Sequence, residues 1–271
     1  ELQRPPSPDP LPSPVVDTHC HLDIADGDSG AEWLGIDDAV ARAAEVGVAR
    51  IVQIGCDLPS SRWSVAAAEA NPSVLATVSL HPNEAPRILA EGGRAALDAA
   101  YDEIEALAAA PRVRAVGETG LDHFRTGEDG RAVQEESFRR HIDLAKRLGK
   151  ALVIHDRDAH DDVVRVLESE GAPETVVFHC FSGDAAMARH CTAQGWYLSF
   201  AGTVTFKNAV PLRDALAVAP LDRILVETDA PYLTPTPYRG RPNASYLVPL
   251  TVRAMAATRM VDLEELCAAL W

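Results

Sequence analysis

Five short apolar runs of this chain each lead into residues whose side chains can bind a metal ion. Runs of this length with β-branched residues are typical of buried parallel strands. The side chains that follow are imidazoles and carboxylates, which suit zinc, manganese or nickel and, with more oxygen ligands, magnesium. In chain order they are His19 with His21, Glu118, His155, His179 and Asp229. The pattern indicates a metal site assembled from the ends of several strands.

The first two candidates, His19 and His21, are separated by one residue on a predicted strand. Side chains at positions i and i+2 of a strand lie on the same face, so both imidazoles can bind one ion. On a helix the same two side chains would diverge by about 200°. A carboxylate between two ions would hold them about 3.5–4 Å apart, the spacing of two-metal hydrolytic sites. The donor set is therefore compatible with a two-metal hydrolase.

Predicted strands and helices alternate from Val15 onward. The strands are short apolar runs, and the helices have apolar residues at spacings of three and four. Strands are predicted at Val15–His19, Arg50–Cys56, Val74–Leu80, Val113–Glu118, Ala151–His155, Thr175–His179, Trp196–Phe200 and Arg223–Asp229. Helices are predicted at Ile36–Val46, Ser61–Ala70, Arg94–Ala110, Ala132–Leu148, Ala159–Glu170, Asp184–Gln194, Ala209–Val218, Tyr246–Thr258 and Asp262–Leu270. The alternation is typical of parallel α/β folds.

Eight βα units without a linker of domain size predict a TIM (β/α)8 barrel, formed by one domain over residues 15–271. The alternative is a doubly wound open sheet, but the strand count is high and no GxGxxG loop follows the first strand. In a TIM barrel the C-terminal ends of the strands form the active-site face, so the metal-binding side chains are expected there. Residues 1–14 contain six prolines and are predicted to form a flexible leader.

Composition and charge limit the classes of function. The chain has 25 basic and 40 acidic residues and a formal net charge of −15, which argues against a protein that coats nucleic acid through a basic surface. An enzyme that binds a short nucleic-acid end is still compatible, because bound metal ions would supply the positive field. No apolar stretch of 18 residues occurs, so no membrane span or secretory signal is expected. The five cysteines show no CxxC spacing, which fits reduced thiols and a cytoplasmic location.

Three further residues lie near the predicted strand ends. His81 follows the third strand and could orient a substrate or donate a proton, with a purely structural role as the alternative. Asp17 is predicted not to join a metal ion that His19 and His21 bind, unless the segment twists, and to contact one of the ligating imidazoles instead. Asp122 follows the fourth strand and is interpreted as structural.

Five segments, in order along the chain, resemble the motifs of the TatD family of metal-dependent deoxyribonucleases, members of the amidohydrolase superfamily. They are residues 17–23 (DTHCHLD), 80–82 (LHP), 117–122 (GETGLD), 179–183 (HCFSG) and 226–233 (VETDAPYL). Residues 199–208 (SFAGTVTFKN) also resemble the branch of this family that retains the HxH pair. One departure is His123-Phe124, where family members commonly have an aromatic pair.

The resemblance implies a TIM barrel that uses two divalent metal ions, with magnesium, manganese, zinc or nickel as candidates. By motif correspondence one ion is bound by His19, His21 and Asp229, and the other by His155 and His179. The same correspondence implies that Glu118 bridges the two ions. The family also implies hydrolysis of phosphodiester bonds in DNA, often by trimming single strands from the 3′ end.

A hydrolytic mechanism follows from these expectations. Asp229 is expected to accept a proton from the attacking water, and Glu118 and His81 complete the catalytic set. Three cations are candidates for binding the phosphates of a DNA substrate, although each could equally be a solvated surface residue. They are Arg157, Lys207 and Arg239. No obligate protein partner is inferred.

Two other functions are compatible with the same residues. One is a two-metal hydrolase that cleaves an ester, lactone or amide, because one site geometry can support many reactions. The other is a metal-stabilised binding protein that has lost catalysis. Substituting His155 would separate them, because an enzyme would lose turnover whereas a binding protein would lose stability or partner binding.

Overall fold

The structure is a computed structural model in which residues 3–24 and 32–271 are described. The strands are β1 (Val15–Cys20), β2 (Val48–Ile54), β3 (Val74–Val78), β4 (Val113–Asp122), β5 (Ala151–Arg157), β6 (Val176–Phe178), β7 (Tyr197–Phe200) and β8 (Ile224–Val226). The helices are α1 (Ile36–Glu45), α2 (Leu58–Ala70), α3 (Glu84–Ala108), α4 (Glu128–Leu148), α5 (His160–Glu170), α6 (Ala185–Ala193), α7 (Val210–Val218), α8 (Val248–Arg259) and α9 (Leu263–Leu270). Short 3₁₀ helices occur at Gly202–Thr205, Leu221–Arg223 and Ser245–Leu247.

The eight strands belong to one sheet, in which their order from β1 to β8 follows the chain. The pairing is parallel between β1 and β2, between β3 and β4, between β4 and β5, between β5 and β6, and between β7 and β8. A helix follows each of the eight strands, as parallel connections require. The predicted (β/α)8 order of a TIM barrel is confirmed.

The chain divides into two compact units. The first unit comprises Glu1–Gln53 and Cys180–Trp271, and the second comprises Ile54–His179. Each unit contains its own buried apolar residues and its own group of metal-binding side chains.

In the first unit, buried apolar side chains come from β1, β7 and β8 and from the helices that cover them. Val15, Leu198, Phe200 and Val226 are all at most 1% exposed. The proline-rich segment before β1 packs along this unit: the amide of Leu11 donates to the carbonyl of Val46 at 2.9 Å. Carbonyl groups of this segment also accept hydrogen bonds from side chains of the first unit. These donors are the hydroxyl of Tyr246 and the guanidinium groups of Arg241 and Arg253. The division into a leader and one domain stays a prediction.

In the second unit, β4 and β5 lie unusually close because two glycines remove side chains between them. A Cβ at Gly117 would collide with the carbonyl of Val153, and one at Gly120 with the carbonyl of His155. Both glycines also have positive φ angles, 145° and 134°, which favour glycine. The close approach positions the side chains at the ends of these two strands.

Several predicted element bounds are wrong, and the differences affect the site. β4 continues to Asp122, because Thr119–Asp122 pairs with Ile154–Arg157 on β5. β8 ends at Val226. The amide of Glu227 still donates to the carbonyl of Phe200 on β7 at 3.1 Å, but that of Thr228 donates to the side chain of Asp17, at 2.9 Å from Oδ1. Helix α3 begins ten residues before the predicted Arg94, with a kink at Gly93. Asp229 therefore follows its strand instead of ending it.

No described helix combines the length and the apolar character needed to cross a membrane.

Candidate metal centre

The first unit brings three of the predicted ligands together, and we refer to His19, His21 and Asp229 as the His19 cluster. Nε2 of His19 lies 3.4 Å from Asp229 Oδ1, and Nε2 of His21 lies 3.2 Å from the same oxygen. The two imidazole rings meet edge to face with centroids 5.2 Å apart. Both histidines are buried, at 1% and 7% exposure, while Asp229 retains some access to solvent. The carboxylate oxygen therefore faces both imidazoles, as the HxH spacing predicts.

Backbone hydrogen bonds fix the His19 cluster across two segments of the first unit. The amide of Asp229 donates to the carbonyl of His19 at 2.8 Å, and the amide of His21 donates to the carbonyl of Ala230 at 2.9 Å. Asp229 has a φ of 56°, an uncommon conformation for a residue other than glycine. The surrounding bonds hold it there, so the carboxylate is positioned in advance of any ligand.

Asp17 lies behind this cluster but does not contact an imidazole among its described hydrogen bonds, which corrects the prediction. Its Oδ1 accepts from the amides of His19 and Thr228, and its Oδ2 accepts from the hydroxyls of Thr228 and Ser245, at 2.6 and 2.7 Å. Burial raises the pKa of Asp17 to about 6, against the opposing effect of these hydrogen bonds. Asp17 supports the ligands through the backbone.

The second unit gathers four predicted side chains around one carboxylate, and we refer to His81, Glu118, His155 and His179 as the Glu118 cluster. Glu118 Oε1 lies 2.9 Å from His155 Nδ1, 3.4 Å from His179 Nε2 and 3.5 Å from His81 Nε2. The rings of His155 and His179 are stacked, with centroids 6.3 Å apart. Glu118 itself is only 4% exposed. A buried carboxylate surrounded by imidazoles is well suited to share a cation with them.

The hydrogen bonds of His81 decide its protonation state. Its Nδ1 accepts the amide proton of Asn83 at 3.1 Å, so the neutral ring carries its proton on Nε2. A metal ligand must offer a lone pair, whereas this Nε2 presents a proton toward Glu118. His81 is therefore suited to donate a proton or hydrogen bond, which was one of its predicted roles.

Asp122 holds His155 from the side opposite Glu118. Its Oδ2 lies 3.0 Å from His155 Nε2, and its Oδ1 accepts the amides of Phe124 and Arg125 at 3.0 and 2.8 Å. A carboxylate bonded to the second nitrogen of a ligating imidazole fixes the orientation of that ring. This role was missed when Asp122 was interpreted as structural.

The electrostatics of this pair follow from its contacts. Burial alone lowers the pKa of His155, but the hydrogen bonds to Asp122 and Glu118 outweigh it and raise the value to about 9. For Asp122 burial acts to raise the pKa, yet hydrogen bonds from His155, Arg125 and Asn83 hold it well below its usual range. Without a metal ion the cluster thus favours a proton on His155, in the place where a cation would bind.

The donor atoms of both clusters fit divalent ions. Ligand atoms about 2.0–2.2 Å from a tetrahedral or octahedral ion are separated by roughly 3.0–3.5 Å. The distances around Asp229 Oδ1 are 3.2 and 3.4 Å, and those from Glu118 Oε1 to His155 and His179 are 2.9 and 3.4 Å. Mixed nitrogen and oxygen donors suit zinc, manganese or nickel. The bridging role of Glu118 stays a prediction.

The three predicted phosphate-binding cations are exposed, and two of them stack on aromatic rings. The guanidinium carbon of Arg157 lies 3.8 Å from the ring centroid of Phe124, and that of Arg239 lies 3.6 Å from the centroid of Phe206. Arg239 and Phe206 line a cavity of about 320 Å³ in the first unit. Lys207 is exposed beside Phe206. The aromatic partners were missed, although Phe124 is the second residue after the GETGLD motif.

Comparisons with known proteins identify the family of the chain. Residues 16–271 match a protein family described as TatD related DNase. The chain belongs to the TatD family. It is 52% identical over 246 residues to an uncharacterized metal-dependent hydrolase, TatD, of Mycobacterium tuberculosis, with 89% of each chain covered. The motif resemblance found in the sequence is therefore confirmed.

Solved structures extend the comparison to the fold. The TatD homologue YJJV of Escherichia coli K12 superposes with a TM-score of 0.82 at 29% identity, covering 94% of both chains. A Tim-barrel protein of Bordetella bronchiseptica reaches a TM-score of 0.57 at 15% identity, covering 94% of this chain and 99% of that one. The second likeness shows the fold alone. This TatD family chain is a metal-dependent hydrolase with the TIM-barrel fold class.

Proposed function

We propose that this protein hydrolyses phosphodiester bonds of DNA, removing nucleotides from the 3′ ends of single strands. The observation that supports it most strongly is the Glu118 cluster, in which one buried carboxylate faces His155 Nδ1 at 2.9 Å and His179 Nε2 at 3.4 Å. Such a set favours divalent cations, and divalent cations are suited to phosphate oxygens. The description of its family as TatD related DNase supports DNA as the substrate.

Two divalent ions are part of the proposal. His19, His21 and Asp229 would hold one, and His155 and His179 the other, with Glu118 as the bridging carboxylate that the family resemblance implies. When bound, the ions would lower the pKa of the attacking water and neutralise charge on the phosphate oxygens. The protein contributes ligands that are already in place before binding, because backbone bonds and Asp122 orient them.

The proton transfer and the hydrogen bond at the leaving group are assigned to two side chains. The oxygen of water forms a bond to phosphorus while the bond from phosphorus to the leaving oxygen breaks, and Asp229 accepts the proton that the water releases. His81 keeps its proton on Nε2 and donates a hydrogen bond to the leaving oxygen, which takes a proton from solvent and departs as a hydroxyl group. Asp229 returns its proton to solvent, so atoms and charge balance over one turnover.

Arg157, Lys207 and Arg239 are proposed to bind the phosphates of the substrate. In the part of the chain that the structure describes, neither Arg157 nor Arg239 forms an ion pair, so both guanidinium groups are available to oxygen acceptors. Guanidinium groups bind phosphate with two parallel hydrogen bonds. A few such contacts at a strand end suffice for a protein whose net charge is −15.

The test is hydrolysis of short single-stranded DNA labelled at its 5′ end, with magnesium, manganese or zinc and with EDTA. We expect a ladder that shortens from the 3′ end with metal and is abolished by EDTA and by Asp229→Asn. Asp214→Asn provides the matched control, since Asp214 lies exposed on α7 and has the same change of charge.

Two outcomes would contradict the proposal. If the protein cleaves no DNA with any metal but hydrolyses a simple ester, lactone or amide, the rival hydrolase is correct. If it binds metal and hydrolyses none of these substrates, the metal-stabilised binding protein is correct.

A further inference from the structure

The loop after β4 carries an exposed aromatic ring beside the Glu118 cluster. Phe124 is 62% exposed, so it contributes little to the core, and the guanidinium of Arg157 covers one of its faces at 3.8 Å. The ring and the guanidinium form a stack in which an aromatic group and a cationic group lie next to each other.

Arg157 differs from the arginines on the outer helices. Arg62, Arg94 and Arg139 form ion pairs with Glu103, Glu136 and Glu170. Arg157 forms neither an ion pair nor a side-chain hydrogen bond with any residue that the structure describes. An exposed guanidinium that stays unpaired in a chain of 40 acidic residues keeps all five N–H donors for a ligand.

The surface is held rigidly at the cluster. Asp122 accepts the amide of Phe124 through Oδ1 and contacts His155 through Oδ2, so one carboxylate fixes both the loop and a metal ligand. Arg157 follows His155 by two residues on β5, which puts both side chains on the same face about 7 Å apart. Arg157 also pairs in register with Asp122. The stacked pair and the cluster are therefore connected through Asp122 and through β5.

We propose that Phe124 and Arg157 form a stacking platform for one nucleobase of a single-stranded nucleic acid whose neighbouring phosphate enters the Glu118 cluster. The inference rests on the proposed function and explains why the protein would select single-stranded substrates. A base has an aromatic face that can stack on the ring or on the guanidinium plane, and the guanidinium edge binds the adjacent phosphate. Stacking tolerates any base sequence and requires a base that is free of a duplex.

The charge of the protein is consistent with such a platform. A net charge of −15 argues against affinity from an extended basic surface, so a contact to one base adds to the binding that a few phosphate contacts provide. Base stacking on an aromatic side chain provides such a contact, and its removal weakens binding roughly tenfold.

The experiment measures kcat and KM of the metal-loaded protein on a short single-stranded oligonucleotide and on versions with one abasic nucleotide at each position in turn. For the unmodified protein we expect one abasic position near the cleaved bond to raise KM roughly tenfold. Phe124→Leu should raise KM by a similar factor on the intact oligonucleotide. For this variant, the abasic nucleotide at that position should cause no further increase in KM. Phe124→Tyr should retain the KM of the unmodified protein, because it keeps an aromatic face.

Met260→Ala is the matched control, because Met260 is 87% exposed and lies at the end of α8. It should change neither kcat nor KM. The stacking platform is wrong, while the proposed function stands, if Phe124→Leu keeps the KM of the unmodified protein or lowers only kcat. The same conclusion follows if the abasic nucleotide still raises the KM of Phe124→Leu. If the unmodified protein cleaves no oligonucleotide at all, the proposed function itself fails and the platform fails with it.

Discussion

The two units present similar ligands but support them in different ways. In the first unit, Asp17 lies behind the His19 cluster and bonds to amides and hydroxyls of the chain, so it holds segments together. In the second unit, Asp122 bonds directly to the ligand His155 and to the loop that carries Phe124. Both are buried carboxylates next to a cluster. A carboxylate that supports the fold contacts the backbone and hydroxyl groups, whereas one that supports a ligand contacts the ligand itself. Loss of Asp17 should therefore lower the stability of the protein, and loss of Asp122 should weaken metal binding.

The largest effect is expected from Glu118→Gln, which removes the charge that the three histidines of the Glu118 cluster face. Hydrolysis should fall more than about a hundredfold, because even residues that only support a ligand cost ten- to a hundredfold when lost. The measurement is kcat/KM with saturating metal.

Glu45→Gln controls for the loss of a carboxylate, because Glu45 is exposed at the end of α1. Full activity of Glu118→Gln would show that the cluster is not the catalytic site and would remove the basis of the comparison.

Asp122→Asn should weaken metal binding by roughly ten- to a hundredfold at the Glu118 cluster alone. The amide oxygen can still accept from the amides of Phe124 and Arg125, so the loop should persist while the bond to His155 weakens. Isothermal titration with zinc or manganese should show one site weakened and one site unchanged.

Asp102→Asn is the control, because Asp102 is exposed on α3. If both metal sites of Asp122→Asn weaken equally, Asp122 supports the fold as Asp17 does, and the proposed contrast is wrong.

Asp17→Asn should lower the free energy of unfolding by about 1–3 kcal/mol, the cost of disturbing buried hydrogen bonds. The hydroxyls of Thr228 and Ser245 donate to Oδ2, which becomes an amide nitrogen if the Oδ1 acceptor is kept. Denaturant unfolding measures the loss, and metal titration of the same variant should show less change than in Asp122→Asn. If Asp17→Asn keeps its stability but loses metal binding, then Asp17 supports the ligands and not the fold, and the proposed contrast with Asp122 is wrong.

The smallest effect concerns His141, a buried histidine that supports the second unit only. Its Nε2 accepts the amide of Leu80 at 3.1 Å, next to His81, and burial lowers its pKa to about 4. The unfolded chain takes up a proton near pH 6.5 while the folded one does so only near pH 4, so stability falls as pH falls through this window. At pH 5 the loss is about 2 kcal/mol, at 1.36 kcal/mol per pH unit.

His141→Gln keeps an acceptor and a donor but does not titrate. Unfolding measured at pH 7 and pH 5 should therefore depend less on pH for this variant than for the unmodified protein, by about 2 kcal/mol. Equal pH dependence of the two proteins would show that His141 is not held neutral in the folded state.

Much of the fold could be predicted from the sequence, because apolar periodicity reports directly which residues are buried. The eight strands and the intervening helices appear in the predicted order. The errors in the strand bounds occur where hydrogen bonds to residues distant in the chain, and not the local apolar pattern, decide where a strand ends. Thr119–Asp122 is strand because it pairs with β5, and residues 227–229 leave the strand because Asp17 binds the amide of Thr228. Neither partner is near in sequence, so no local signal marked these bounds.

The site shows the same division. All six predicted metal ligands belong to the two clusters of the structure. They could be predicted because the residue type alone determines which side chains have donor atoms for a metal ion. The role of Asp122 was missed because it depends on the register between β4 and β5, which brings it within 3.0 Å of His155. Phe124 was missed because its importance comes from its exposure and from the arginine stacked on it.

The sequence by itself determined the donor atoms, the shared face of His19 and His21, and membership of the TatD family, because residue type and the two-residue period of a strand are local properties. Only the tertiary structure decided which nitrogen of His81 carries the proton, which carboxylate orients His155, and which ring Arg157 covers. The second and third depend on contacts between residues distant in the chain, and the first on the local backbone that brings the amide of Asn83 to His81. The close approach of β4 and β5 at Gly117 and Gly120 brings the strand ends of the second unit together.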